Sequence, residues 1–355
     1  MAPEPSTLTG SLPGMRAGVF VAYWPWFQFE EQVELAVAAD QGGLDSVWVA
    51  EAWGQDAVSL CGYLAARTEQ IALGTALMQI PARPPAATAM AAATIDVMSG
   101  GRFRLGLGVS GPQVSEGWYG TPFARPVSRT REYVEIVRKA LAGEKLAYDG
   151  REYTLPLPGG LGKSLRLLAR PVQERIPIYL GAIGPKAVAQ VGEIADGWLP
   201  FLVDPEDPDT LFAPLREGLA KAGRSIDDLD VAAAVPVGLA DDIGEARAAV
   251  KPILAFYLGA MGAKEKNFYV ELADRAGYGD AARDVQAKWL ARDQAGALAA
   301  VPDELVDHMS VATTPAGLDD RLAAYERAGV DTLVCVPCGP DRPLIVDTLA
   351  AATVS

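Results

Sequence analysis

Residues 96–113 read DVMSGGRFRLGLGVSGPQ, and the reading of this stretch decides the fold. The Gly100–Gly101 pair closes the helical run before it, because glycine supplies at little cost the left-handed residue that ends a helix. A strand, FRLGLGV, follows at once and ends in Ser110–Gly111–Pro112. Glycines 106, 108 and 111 have the GxGxxG spacing of a dinucleotide-binding turn. That turn must open directly into a helix, and here the chain continues PQVSEGWYGTPFARP, whose glycines and prolines break helices. The fingerprint also needs an acidic residue ending a second strand about 20 positions on, but Glu132 falls inside the helical run RTREYVEIVRKAL. Small residues at the C-terminal end of a strand, opening a long loop, instead predict a (β/α)8 TIM barrel, in which a flat ligand lies against backbone.

The sequence on either side keeps the same rhythm. A strand over Ala17–Ala22 leads to the aromatic cluster YWPWF at 23–27, and a helix over 30–41 ends at Gly42–Gly43. DSVWVA at 45–50 is continuously apolar, the mark of a strand buried on both faces, and is closed by Glu51. A helix over 57–67, the strand IALGTAL at 71–77, a loop punctuated by Pro81, Pro84 and Pro85, and an Ala-rich helix over 86–98 complete the approach. Beyond the deciding stretch, 130–141 is helical and LAYDGREYTL at 146–155 alternates about Asp149–Gly150, a hairpin signal. PLPGGLGKSLRLLARPV, which reaches 172, is too broken for a barrel element, so 143–175 is expected to be an insertion on the C-terminal, catalytic face.

The barrel resumes with IPIYLGAIGPKAVAQVGEIADGWLP at 176–200: a strand, a glycine turn, a helix opening at Pro185 whose free N–H groups suit an anion, and a short sixth strand. A helix near 208–222, a strand near 230–237, a mostly helical insertion over 241–310, a helix over 315–328, an eighth strand over 331–336 and a closing helix over 343–353 follow. The expected organisation is a disordered tail, 1–15, before one barrel domain, 16–355.

A chain of 355 residues, 50% of them hydrophobic, can bury a barrel-sized core. Its 31 basic and 45 acidic residues give a net charge of −14, which argues against nucleic acid and anionic membrane surfaces as partners, since both attract clustered Lys and Arg. Three cysteines, an odd number, point to a reducing, cytoplasmic compartment. No apolar run reaches the roughly 18 residues of a membrane span, and MAPEPSTLTGSLPG lacks the basic start and apolar block of a signal peptide. Cys335–Val–Pro–Cys338 has the spacing of a redox or metal pair, but one distant histidine, His308, cannot complete a tetrahedral metal site, so a packed strand end is expected there and no metal. Cys61 reads as core.

Five ordered blocks resemble the bacterial luciferase-like superfamily, and within it the oxidoreductases that use the deazaflavin coenzyme F420: GLDSVWVAEAWG (43–54), LGTALMQIPARPP (73–85), SGGRFRLGLGVSGPQVSEGWYG (99–120), RTREYVEIVRKAL (129–141) and IYLGAIGPKAVAQVGEIADGWLP (178–200). The resemblance spans roughly 16–340. It implies a luciferase-like barrel with the cofactor at the C-terminal strand ends. The ring would lie against a bulge after the third strand, here Ala76, Leu77, Met78 and Gln79, with a non-prolyl cis peptide at Ala76–Leu77. Val109, Ser110 and Gly111 would line the ring and ribityl chain, and Gly181–Ala182–Ile183–Gly184–Pro185 would be the phosphate loop. Two departures stand out. Many relatives carry an Asp–His pair after the second strand where this chain has Glu51–Ala52, and a glutamate that some carry after the fourth strand aligns to Gly111.

Glu51 ends a buried strand at the rim, where an acid costs desolvation energy unless used or paired. It is a candidate to hold the deazaflavin's polar edge or to relay a proton, the alternative being a helix cap or ion pair. Tyr23, Trp24, Trp26, Trp53, Trp118 and Tyr119 are candidates for an apolar substrate pocket that excludes water, with the Tyr23 and Tyr119 hydroxyls as proton donors and Gln79 as a donor to a ring carbonyl. The function expected is hydride transfer between the deazaflavin C5 and a small organic substrate, favouring reduction of an activated C=C or C=N bond. The alternatives are an FMN-dependent monooxygenase served by a flavin reductase and a non-catalytic cofactor-binding barrel. A homodimer is expected from the family, with the helix over 86–98 allowing close packing.

Overall fold

The computed structural model describes residues 14–23, 25–262 and 267–354. The expected tail lies almost wholly outside the described residues, and so does Trp24. Eight parallel strands close into a barrel: β1 (Arg16–Val21), β2 (Ser46–Val49), β3 (Ala72–Thr75), β4 (Phe103–Gly108), β5 (Ile178–Leu180), β6 (Gly197–Trp198), β7 (Asp230–Leu239) and β8 (Thr332–Pro337). Closure runs through β6 against β7, β7 against β8, and β8 against β1. Helices α1 (Phe29–Gln41), α2 (Ala57–Ala65), α3 (Pro85–Met98), α4 (Pro126–Leu141), α5 (Pro185–Ile194), α6 (Asp209–Lys221), α7 (Leu318–Arg327) and α8 (Arg342–Val354) surround it. The continuously apolar strands are buried on both faces, as their sequences require.

The barrel interior is filled, not hollow. Trp48 of β2 meets Tyr179 of β5 edge to face at 4.9 Å between ring centroids. The N-terminal end is sealed by charge. Arg104 forks onto Asp45 at 2.6 and 3.1 Å, Arg16 reaches Asp230 at 2.9 Å, and the Tyr179 hydroxyl donates to Asp230 at 2.7 Å. A ligand can therefore enter only at the opposite, C-terminal end.

Three local readings differ from the structure. The stretch after Gly111 does form a short helix, Pro112–Gly117, because proline at the first helical position costs nothing and presets φ. The hairpin pairs Tyr148–Asp149 with Thr154–Leu155, so Gly150–Tyr153 is a wider loop than Asp149–Gly150 alone would make; the Glu132 carboxylate holds it by accepting from the Arg151, Glu152 and Tyr153 amides. The segment 143–175 reaches the catalytic-face end only at its hairpin tip, where Glu152 pairs with Arg125 at the start of α4. It follows a helix, so it starts at the N-terminal end of the barrel, climbs the outer flank of α4 and returns there, where Val172 and Gln173 amides donate to Asp96 at the foot of α3. The excursion over 241–310 follows a strand and does cover the C-terminal face, led by a helix over Ile243–Gly259. Among the described residues no helix is long and apolar enough to cross a membrane.

Candidate functional site

The site is built where β3 breaks. β3 pairs with β4 only through Leu73 and Gly74, and the chain rejoins β4 at Met78 and Gln79. Thr75 bridges the gap with its side chain, which donates to the Gly106 carbonyl and accepts from the Gly106 amide. Between them the Ala76–Leu77 peptide is cis, and Leu77 is pressed into a seat of glycines. A Cβ on Gly181 would stand 2.1 Å from Leu77 Cδ1, and one on Gly108 would stand 2.8 Å from it. Further along the rim the space is open: a Cβ on Gly111 or Gly184 would meet nothing within 4 Å. Ser110, at φ 61°, turns the chain between β4 and the short helix. The Leu77 seat therefore lies between two strand ends, Val109–Ser110–Gly111 and Ala182–Ile183–Gly184, each open at its last glycine.

Glu51 stands at the rim as expected, but its carboxylate is saturated. It accepts from Arg83 at 2.8 and 2.6 Å, from the Gln79 amide at 2.9 Å and from the Ala57 amide at 3.3 Å. These four bonds fill the acceptor capacity of a carboxylate, and the side chain is 2% exposed. Arg83 also pairs with Asp56, which caps α2 through the Ser59 amide. Gln79 spends its Nε2 on the Ala52 carbonyl at 2.8 Å, so that its Oε1 is left sealed and without a partner among the described residues. It is thus an unmet acceptor, where the sequence suggested a donor.

The aromatic residues do not form one pocket but two cavities at the mouth. The larger, about 370 Å³, is mostly apolar and lies between β1, β8 and the 243–259 helix; Tyr23, Trp26, Phe256 and Tyr257 line it. The smaller, about 330 Å³, is lined by Glu51, Trp53, Asp56, Arg83, Trp118 and Tyr119. Tyr23 is the wall between them, because its ring faces the larger cavity and packs on Gly54, which lines the smaller. Burial pushes the Tyr23 phenol up to about 12. Burial, with the Glu51 charge adding to it, also raises Tyr119, whose hydroxyl makes only a long 3.4 Å contact to the Ala52 carbonyl. Trp53 and Trp118 are exposed on the outer lip.

At the other end of the rim, Gly184 caps α5 and Pro185, which has no N–H, opens it; the Ala187 and Val188 amides donate to the Gly184 carbonyl, so that the Gly184 and Lys186 amides are the ones left without a backbone partner among the described residues. Lys186 is exposed beside them, and Arg275 arrives from the excursion to donate to the Ile183 carbonyl at 3.3 Å. His308 lines neither cavity; it bonds Asp204 at 2.7 Å and packs against Tyr278. Cys61, Cys335 and Cys338 are buried and unpaired, with burial pushing the Cys338 thiol up to about 12, and no metal-binding cluster occurs among the described residues.

Sequence reasoning missed Arg83, Tyr257, Tyr269 and Arg275. Arg83 had a signal, being a lone cation in PARPP just beyond a strand whose neighbour ends in a buried acid. The others come from the excursion and had none.

Residues 6–332 match the family described as luciferase-like monooxygenase. The chain is 42% identical over 328 residues, 90% of its length and 94% of the relative's, to a protein of Mycobacterium tuberculosis named "Putative coenzyme F420-dependent oxidoreductase". It is 30% identical, over 92% of its length and 95% of the relative's, to the 5,10-methylenetetrahydromethanopterin reductase of Archaeoglobus fulgidus. In three dimensions it resembles the coenzyme F420-dependent tetrahydromethanopterin reductase of Methanopyrus kandleri, with a TM-score of 0.83 and 25% identity over 96% of this chain and 99% of that one.

Proposed function

The chain belongs to the luciferase-like monooxygenase family, and on that premise we propose that it is a coenzyme F420-dependent oxidoreductase that reduces an activated C=C or C=N bond in an apolar substrate. The observation that carries this reading is the glycine seat of Leu77 beside the open space at Gly111 and Gly184. It is a floor for a flat ring with room for the chain that leads to a phosphate.

The residues present fit that group. The unmet Gln79 Oε1 suits a ring N–H. The Gly184 and Lys186 amides at the start of α5, with the Lys186 and Arg275 side chains near them, suit a phosphate and a polyanionic tail. When bound, the deazaflavin supplies the hydride chemistry at its C5. The chain's share is binding, orientation and exclusion of water. Ala76, Leu77, Met78 and Gln79 form the floor, and Glu51 acts as a positioning residue that ties Arg83 and the Gln79 amide to the rim. The Tyr23 and Tyr119 hydroxyls, kept neutral by burial, hold a proton at the edge of each cavity. Apolar walls and the absence of a rim histidine favour an unsaturated apolar substrate over a sugar. The exposed apolar residues Met90, Val97 and Met98 of α3, with Leu161 and Leu168 of the flank segment, support a homodimer.

Lys186 and Arg275 also suit the single phosphate of FMN, so the second reading is an FMN-dependent monooxygenase fed by a flavin reductase. Fluorescence titration of the purified protein separates the two. Micromolar F420 binding with weak FMN binding supports the proposal, and a preference for FMN overturns it.

A further inference from the structure

The excursion over 241–310 brings two tyrosines to the mouth that the cofactor reading does not use. Tyr257 lines the larger cavity together with Tyr23. Tyr269 stands behind Tyr257, their rings 4.8 Å apart and nearly perpendicular, and Phe201, at the end of β6, packs on both at 4.3 and 6.0 Å. None of the three phenol oxygens has a hydrogen-bond partner among the described residues, and Tyr23 and Tyr257 line the cavity itself. Polar hydroxyls left unpaired in an apolar cavity wait for a ligand atom.

The remaining lining sets the rest of the ligand. Phe20, Trp26, Pro252, Ile253, Phe256 and Val336 are apolar. The one charged lining residue, Arg342, pairs with Glu31 at 2.6 Å and stacks over Phe27 at 4.6 Å, while its Nε is sealed and has no partner among the described residues. The Arg342 charge is thus balanced by Glu31, and the cavity favours a neutral ligand over a carboxylate or a phosphate. At about 370 Å³ it lies in the small-molecule range of roughly 300–1,000 Å³.

Resting on the function proposed above, we propose that Tyr23 and Tyr257, backed by Tyr269, are specificity-determining residues that hold the carbonyl-type oxygen of a neutral, otherwise apolar substrate. Burial raises all three phenols, and Tyr23 adds to the shift of the other two, so each remains a neutral O–H donor across the physiological range.

The probe is α-tetralone against tetralin, which has the same body without the oxygen, titrated calorimetrically into the full chain. Wild type should prefer the ketone by about tenfold, the worth of one good hydrogen bond. Tyr23→Phe and Tyr257→Phe should each cut that preference to about threefold or less while leaving tetralin affinity and the melting temperature unchanged. Equal binding of the two probes by wild type, or a preference that survives in the double variant, overturns the inference. F420 titration of the same variants separates the two proposals. A ketone preference without F420 binding removes the cofactor assignment alone, and F420 binding without a ketone preference removes the tyrosine assignment alone.

Discussion

The ring of Tyr23 packs so closely on the α-carbon of Gly54 that a methyl group there would stand 2.1 Å from its Cδ2 atom. Gly54→Ala must therefore push the ring into the larger cavity. The expected loss is about 1–3 kcal/mol, the range for overpacking, read as a shift in the urea midpoint, together with weaker α-tetralone binding. An unchanged midpoint would show that Tyr23 is not held as a wall.

Gly111 and Gly184 give the opposite contrast. Both have extended backbone at φ −128° and −76°, which any residue adopts, and both face open space. Gly184→Val and Gly111→Val should leave stability within about 0.5 kcal/mol while weakening F420 binding tenfold or more. Unaltered F420 affinity in both variants would place the cofactor elsewhere.

Glu51→Gln removes one of the two carboxylates that Arg83 faces, Asp56 remaining, and should cost about 1–3 kcal/mol, as weakening a buried hydrogen-bonded group does. If Glu51 positions rather than relays, the shape of the kcat/KM pH profile stays that of wild type even as its height falls. Loss of one limb of that profile would return the proton to Glu51.

Acid should unfold the protein from its sealed end. Burial pushes Asp45 up, but hydrogen bonds and charge from Arg104, with help from Ser46 and Arg16, more than offset this and hold it below its ordinary 3.8. Asp196 is likewise lowered, burial being outweighed by Arg138, the Ile178 amide and Arg175. A carboxylate depressed in the folded state adds stability that is present above its unfolded value and lost as pH falls through the folded one. Melting temperature should therefore be flat near neutrality and drop below about pH 4. Asp45→Asn and Asp196→Asn should each lower it at pH 7 and shrink the acid drop; an undiminished drop in both would assign acid lability to other groups.

The proposed dimer is tested by Leu161→Glu and Leu168→Glu, on side chains that stand free of the flank. Light scattering should give two chains for wild type and one for the variants, with thermal stability of the fold retained. A monomeric wild type would refute the assignment.

The barrel was legible because its strands are continuously apolar and because glycines fall at strand ends, both local properties. The position of the cis Ala76–Leu77 peptide came from the family resemblance and is found there. The partner of Glu51 carried a signal that was passed over: Arg83, 32 residues on, is the lone cation just beyond the strand that neighbours the one Glu51 closes. The helix after Gly111 was hidden by counting Pro112 as a breaker when, at a first position, it starts one. The placement of 143–175 was recoverable: a segment that follows a helix begins at the N-terminal end of the barrel. Division of the aromatics into two cavities could not be read, because one wall is delivered by the excursion from the far side of the chain.

That excursion has an evolutionary consequence. The proposed cofactor floor is made by β3, β4 and β5, all before residue 185, whereas the larger cavity is lined from both ends of the chain: by Phe20, Tyr23 and Trp26 at and after β1, by the 243–259 helix and by the end of β8. Mutations in the 243–259 helix can retune which molecules enter the larger cavity without touching the proposed floor. Laboratory evolution aimed at new substrates should therefore start its libraries in that helix.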